Sequence, residues 1–418
     1  MHSRLRQPRV LCLLAAFVLP FAAHGQSVEV IGNVTRYNGS ATAPSPNPSP
    51  SWVNWEEDAI WISYNASESG TVNVTGGGLF KVGNLNMARQ QNTGGAEAVV
   101  NVSGAGSRME VAFSNNVGAA GKATLNITNG GSVTDPNGVI GGGAGSEGTV
   151  NVSGAGSKWT SQVLTVGSAG SGRLNITAGG VVVSETLGAI GFQSTSVGEV
   201  FVSGAGSRFE VKKSIYVGGN LSTNTGLGKL TVENGGAVTV TETTRVYAGD
   251  GIDILDTGTL RTATLLSDGT VNVFGTLTAE NGVTVRSGGV IGGGGEIQGN
   301  LTLQAGAKFQ FIPGSPLSVT GDVFLPDSFG VADLLGLSGD TPAGTYVLID
   351  TTATSFGLLA IQNWGVANAY DLGGGKFAFF REGGLILEII PEPASYALLM
   401  QVAVAGFCLA GRRRRRRG

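Results

Sequence analysis

The chain has 418 residues, 70 of them glycine, with only 13% charged residues and a formal net charge of -3. Glycine at about one residue in six, against a usual share of about 7%, comes without a three-residue period, which excludes collagen. Val, Ile, Leu and Phe alternate with Ser, Thr and Asn, which excludes a disordered chain and predicts many short strands joined by glycine turns.

The N-terminus reads as a secretory signal peptide over 1–25. Arg4, Arg6 and Arg9 form a basic leader, Val10 to Phe21 an apolar stretch too short to span a bilayer, and Ala23-His24-Gly25 a small-residue cleavage site. Both histidines, His2 and His24, lie in this leader; Cys12 lies there too, and Cys408 in the tail. The segment between leader and tail therefore has neither His nor Cys, which excludes disulfides, thiol nucleophiles, histidine general bases and the usual zinc sites. Of the 26 Lys and Arg, three sit in the leader and six in the tail, leaving 17; all 29 Asp and Glu lie in 26–393, so that segment carries 17 - 29 = -12. An acidic surface repels phosphate backbones, so no nucleic-acid partner is expected.

Residues 26–57, with "SATAPSPNPSPS", read as an N-terminal cap and Pro/Ser linker. A repeat follows. "GTVNVTGGG", "AVVNVSGAGS", "KATLNITNGGS", "GTVNVSGAGS", "GRLNITAGG", "GEVFVSGAGS" and "GKLTVENGG" align on Val72, Val100, Leu125, Val150, Leu174, Val200 and Leu230, at steps of 28, 25, 25, 24, 26 and 30. Each copy has a leading half such as "LTVGSAGS" or "IYVGGNLST", so one unit is predicted as three short strands with glycine turns, one coil of a right-handed parallel β-helix. Val150 and Val152 are expected to point inward, as are Leu125 and Ile127. Asn73, Asn101, Asn126, Asn151 and Asn175 share one outward slot, which predicts an amide ladder that Phe201 interrupts. N-glycosylation at these five N-x-S/T sites is the competing reading. Trp52, Trp55, Trp61, Trp159 and Trp364 are aromatics able to stack on sugars, but Met109, Trp159 and Phe209 recur at 50-residue intervals, which favours core or lateral packing, and Trp52 and Trp55 are better placed to cap the first coil.

Regular coils are assigned to 58–240, less regular coils to 241–312 and an antiparallel C-terminal β cap to 313–390, since a solenoid must close its open apolar end. The acidic stretch "GDGIDILDTG" holds Asp250, Asp253 and Asp256, with Asp268 nearby. These are weak candidates for a metal site, offering oxygen ligands of the kind calcium takes without the fixed spacing of calcium-loop repeats. Asp253 and Asp256, three residues apart, are placed on opposite strand faces and do not make a catalytic pair. Solvated loop acids are the default reading, and no catalytic residue, metal or cofactor is expected.

The chain closes with Pro391-Glu392-Pro393, an apolar run from Ala394 to Gly411, and Arg412, Arg413, Arg414, Arg415, Arg416 and Arg417. Eighteen residues at about 1.5 Å rise give about 27 Å, close to the roughly 30 Å hydrocarbon core, so a single transmembrane helix is expected. The arginines then stay cytoplasmic and the body outside.

The V-N-V-S-G-x-G-S unit over about 58–240 resembles the repeat shared by type V secretion (autotransporter) passengers and PEP-CTERM proteins. The tail, 391–418, resembles the PEP-CTERM sorting signal. That resemblance implies a bacterial protein passed through the secretion translocon and held transiently in the inner membrane by its C-terminal helix. An exosortase-type membrane transpeptidase then handles it near Pro391-Glu392-Pro393, and it reaches the cell surface or extracellular matrix, where polysaccharide is an expected partner. The function expected is a structural or adhesive β-solenoid rather than an enzyme. The alternative is a polysaccharide-binding or polysaccharide-degrading (lyase or hydrolase) β-helix protein. No outer-membrane barrel is expected, because the ten-residue amphipathic strands it needs are missing from the sequence after 309.

Overall fold

Apolar and polar residues alternate in every V-N-V-S strand, and the alternation sorts them to two faces. In Glu147–Ser153, Val150 and Val152 are buried while Thr149, Asn151 and Ser153 face outward. The computed structural model describes residues 27–32, 34–37, 54–64, 67–89, 97–219, 226–351, 361–381 and 385–392. The expected signal peptide and the arginine run lie outside the described residues.

The protein is an all-β solenoid of about 10 turns with coils of about 25 residues. One sheet has 13 strands, and its inward column runs through Val72, Val100, Leu125, Val150, Leu174, Val200 and Leu230 in unbroken parallel register. The column continues through Ile252, Val271, Ile291, Phe309 and Leu334. The steps from Leu230 are 22, 19, 20, 18 and 25, so the coils between Leu230 and Phe309 are tighter than the regular ones. A fully buried side chain of this type contributes about 1.5–3 kcal/mol, and every coil adds several to one continuous core.

The second sheet corrects the expectation of three separate strands per coil. In the regular coils the last two segments form one bulged strand, as in Lys158–Val166, where the register against the next coil shifts between Ser161 and Val163. A buried hydroxyl turns the corner. Ser161 Oγ donates to the Val163 carbonyl at 2.7 Å, and Ser184 Oγ in the next coil donates to the Leu187 carbonyl at 2.7 Å. The hydroxyl satisfies the carbonyl that the bulge frees from the ladder, so pairing resumes without a loop. The two segments are separate in Arg208–Val211 and Ser214–Val217, merge again in the bulged strands Ala237–Val246 and Thr259–Ser267, and are separate in the tight coils, which do have three strands, as in Thr270–Val273, Thr276–Ala279 and Val283–Val285.

The 50-residue spacing of Met109, Trp159 and Phe209 marks two alternating kinds of coil. All three are buried, in register with the smaller Val133, Val182 and Val238 of the coils between. The turns alternate in the same way. Ser157, of a G-A-G-S turn, donates to the Ser153 carbonyl at 2.7 Å and accepts the Gly130 N–H of the preceding G-G turn at 3.0 Å. Ser207 repeats this with Ser203 and Gly179. Gly156 has φ +83°, and a Cβ there would lie 3.4 Å from the Gly130 Cα, so backbone packs on backbone at this turn.

Both ends carry antiparallel strands. Ser27–Gly32 and Val34–Tyr37 pair antiparallel with the first strands of the two sheets. At the other end Gly344–Thr351 adds in parallel to the last coil and pairs antiparallel with Leu385–Pro391, which pairs with Lys376–Arg381. Phe329 stacks on Phe380 with ring centroids 6.0 Å apart, and Phe311 meets Tyr346 edge-on at 5.4 Å, joining this end to the solenoid core. Among the described residues no α-helix occurs and no helix is long and apolar enough to cross a membrane; the expected span from Ala394 to Gly411 lies outside them.

Candidate functional site

The predicted amide ladder forms. Asn175 Nδ2 donates to Asn151 Oδ1, Asn151 to Asn126, Asn126 to Asn101 and Asn101 to Asn73, each at 2.8 Å. Phe201 stands opposite Asn175 and ends the chain of amides there. The other end is a surprise of register. Asn73 donates to Glu29 Oε2 at 2.9 Å, so a carboxylate of the antiparallel N-terminal strand terminates the ladder. With Thr and Ser on either side, as in Thr124-Asn126-Thr128, this face is an ordered array of amides and hydroxyls about 4.8 Å apart between coils.

The acidic candidates do not converge. Asp250 is buried where preceding coils have glycine; its Oδ1 accepts the Gly228 N–H at 2.6 Å and its Oδ2 has no partner among the described residues. Burial pushes its carboxyl up to about 6. Asp253 belongs to the outward column of the amide ladder, ion-paired to Lys229 at 2.8 Å and accepting from Asn272 Nδ2 at 2.7 Å. Asp256 is exposed at a turn with φ 46°, and Asp268 pairs with Arg245, whose guanidinium lies 4.9 Å from the Tyr247 ring. Among the described residues no three His, Cys, Asp or Glu side chains are grouped to hold a metal ion.

A buried polar group that the sequence does not advertise lies inside the second sheet. Asp135 Oδ2 accepts from Trp159 Nε1 at 2.7 Å and from Asn115 Nδ2 at 3.0 Å. Desolvation raises the Asp135 carboxyl above its ordinary range, against the lowering effect of these donors and Ser161. Gly138 leaves room for the indole: a Cβ there would sit 2.5 Å from Trp159 Cζ2. Asp135 opens "DPNG", which lies inside the strand Ser132–Ile140.

The lateral face holds an open groove of about 620 Å³ along successive coils. Its geometry starts from one backbone position, where each coil turns on a left-handed residue: Ser63, Ala88, Gly118, Gly141 and Gly167, with φ between 54° and 78°. The following residues, Tyr64, Arg89, Ala119, Gly142 and Ser168, line the groove. Three small residues make the floor, and the large Tyr64 and Arg89 close one end. Trp61 lies behind them, stacked on Tyr64 at 4.8 Å and 15°, with the Arg89 guanidinium 4.8 Å from its ring centroid. Asn86 and Asn116 form the rim, linked by a 2.9 Å amide hydrogen bond. Trp61 was visible in the sequence as a sugar-stacking candidate; Tyr64 and Arg89 were not, because only coil stacking brings them together.

Of the other aromatics, Trp159 is core, Trp364 packs beside Phe380, Trp52 lies outside the described residues, and Trp55 pairs through its backbone with Val82. Pro391 and Glu392 are exposed at the end of the last strand, with the Glu392 N–H donating to the Gly375 carbonyl at 2.7 Å. Pro393 and Arg412 to Arg417 lie outside the described residues. No family model, no curated protein and no solved structure matches this chain.

Proposed function

We infer that this is an exported bacterial surface or matrix protein, a structural or adhesive rod delivered by its C-terminal sorting signal. One observation carries the reading. Pro391 and Glu392 are exposed at the end of the strand Leu385–Pro391, and from there the sequence passes into an apolar run and six arginines. A processing enzyme needs an accessible recognition site, and Pro391 and Glu392 are exposed. The reading includes the signal peptide over 1–25, a right-handed coil, the membrane helix over 394–411, transient inner-membrane anchoring and an exosortase-type partner. In it the body acts as an extended scaffold and not as an enzyme, consistent with Asp253 and Asp268 being held in ion pairs.

The second reading, polysaccharide binding, is favoured over polysaccharide cleavage by the aromatic and amide groove, which contains no carboxylate among its described lining residues. The test is fractionation of cells expressing the full chain with Pro391 and Pro393 replaced by alanine. Retention in the inner membrane with the tail uncleaved is expected; unchanged location and processing overturns the sorting reading.

A further inference from the structure

We propose that Asp135 is a proton-binding site built into the solenoid core, a neutral carboxylic acid that shares its proton with the amide carbonyl of Asn115. A mismatch of donors and acceptors points to it. Asn115 Nδ2 donates to Asp135 Oδ2 at 3.0 Å, and Trp159 Nε1 donates to the same oxygen at 2.7 Å. The other oxygen of each group, Asn115 Oδ1 and Asp135 Oδ1, is buried and has no hydrogen-bond partner among the described residues. The amide cannot be turned round to help, because its oxygen would then face Asp135 Oδ2, acceptor against acceptor.

An ionised aspartate only accepts, whereas a protonated one carries one O–H donor. A proton on Asp135 Oδ1 therefore answers both unpartnered oxygens at once: one gains a hydrogen to donate, the other a hydrogen to accept. The two groups then close a two-bond ring of acid and amide. Ser161, the nearby hydroxyl, is already engaged on both sides, donating to the Val163 carbonyl at 2.7 Å and accepting the Gly138 N–H at 2.9 Å.

The surroundings favour the neutral form. Asn115, Trp159 and Ser161 are uncharged and wholly buried. The charged residues on the strands packed around Asp135 point away from it. Arg108, Lys158, Glu147 and Arg173 are exposed, and Glu110 lies on the outer face in an ion pair with Lys81 at 3.1 Å. Ala98–Ser103 carries no charge. A buried carboxylate without a cation gives up its charge by taking a proton, and desolvation raises this carboxyl above its ordinary range despite the donors around it. The proton joins three consecutive coils, since Asn115, Asp135 and Trp159 come from Arg108–Val117, Ser132–Ile140 and Lys158–Val166. The folded state holds it more tightly than the unfolded chain does. Its contribution to stability is therefore complete below the ordinary aspartate range and is lost as pH rises through the folded value.

Infrared spectroscopy of the full chain, with aspartate isotopically labelled at the side-chain carboxyl, reads the protonation state. At pH 7 a carboxylic-acid stretch that moves with the label is expected. It should be absent from Asp135→Asn and retained in Asp250→Asn, which removes another raised carboxyl. Retention in Asp250→Asn keeps the test decisive should Asp135→Asn fail to fold. Asp135→Asn leaves an oxygen for the Trp159 and Asn115 donors and puts an N–H in place of the O–H. It is expected to raise the melting temperature at pH 7 and to lose that gain at pH 4. Carboxylate signals alone at pH 7 mean that water or a cation serves the two oxygens, and they overturn the proposal. So does an acid signal that disappears with Asp250→Asn, or a melting-temperature difference that is the same at both pH values.

Discussion

Asn73 donates its side-chain amide to Glu29 at 2.9 Å, so a chain of five asparagines across five coils ends on a carboxylate from the strand that seals the sheet. Every amide dipole in the ladder points the same way, from Asn175 toward Glu29, and a negative charge at the accepting end complements that direction. The antiparallel strand thus closes the sheet edge and also terminates the polar column on its surface.

Breaking the ladder in its middle should cost more than shortening it. Asn126→Ala removes the bonds to both Asn101 and Asn151 and is expected to destabilise by about 1–2 kcal/mol. Asn175→Ala removes one bond and should cost about half as much. Urea unfolding midpoints compare them; equal effects would show that the amides do not act as a connected chain.

The buried turn serine couples two coils. Ser157→Ala removes both the donor to Ser153 and the acceptor for Gly130, leaving two backbone groups without partners, at an expected cost of about 2–3 kcal/mol. Amide exchange at Gly130 should accelerate in that variant, while exchange at Gly179, held by Ser207, should not.

Gly138 and Trp159 should show strong coupling. Gly138→Ala drives a methyl group into the indole and is expected to cost at least about 2 kcal/mol. Trp159→Phe removes the atom in the way, so the same glycine substitution should cost less in that background. A double-mutant cycle on denaturation midpoints reads the difference, and additive costs would contradict the packing described.

Asp250 gives the fold a pH dependence of defined sign. Its carboxyl is raised from 3.8 to about 6, so the folded state holds the proton more tightly than the unfolded chain. Its favourable contribution is complete below about pH 4 and is lost as pH rises through 6, a penalty of about 1–2 kcal/mol by pH 7 once solvent screening is allowed for. Asp250→Asn keeps an oxygen for the Gly228 N–H and cannot ionise. It is expected to raise the melting temperature at pH 7.5 and to lose that advantage at pH 4.

The coil register was legible from residue types alone. Val72 to Leu230 fall opposite one another in the alignment read from the sequence, because inward alternation tolerates no slip of one residue. The amide ladder and its end at Phe201 followed from the same register. The bulged corner strand did not, since a bulge and a turn look alike when both contain Ser, Thr or Gly. Glu29 was hidden for a different reason: it joins the ladder through an antiparallel strand that carries no copy of the repeat. Tyr64 and Arg89 are 25 residues apart and meet across Trp61 only after stacking. The burial of Asp135 was not legible because its partner Trp159 belongs to the following coil.

The central claim, that a sorting tail delivers this solenoid to the cell exterior, is tested most directly by intact mass spectrometry of the protein recovered from the surface and extracellular fractions. The account predicts a chain that begins near Gln26 and ends near Pro391-Glu392-Pro393, lacking Arg412 to Arg417. Recovery of a species with the arginine run intact in those fractions, or of the protein only in the cytoplasm, would contradict it.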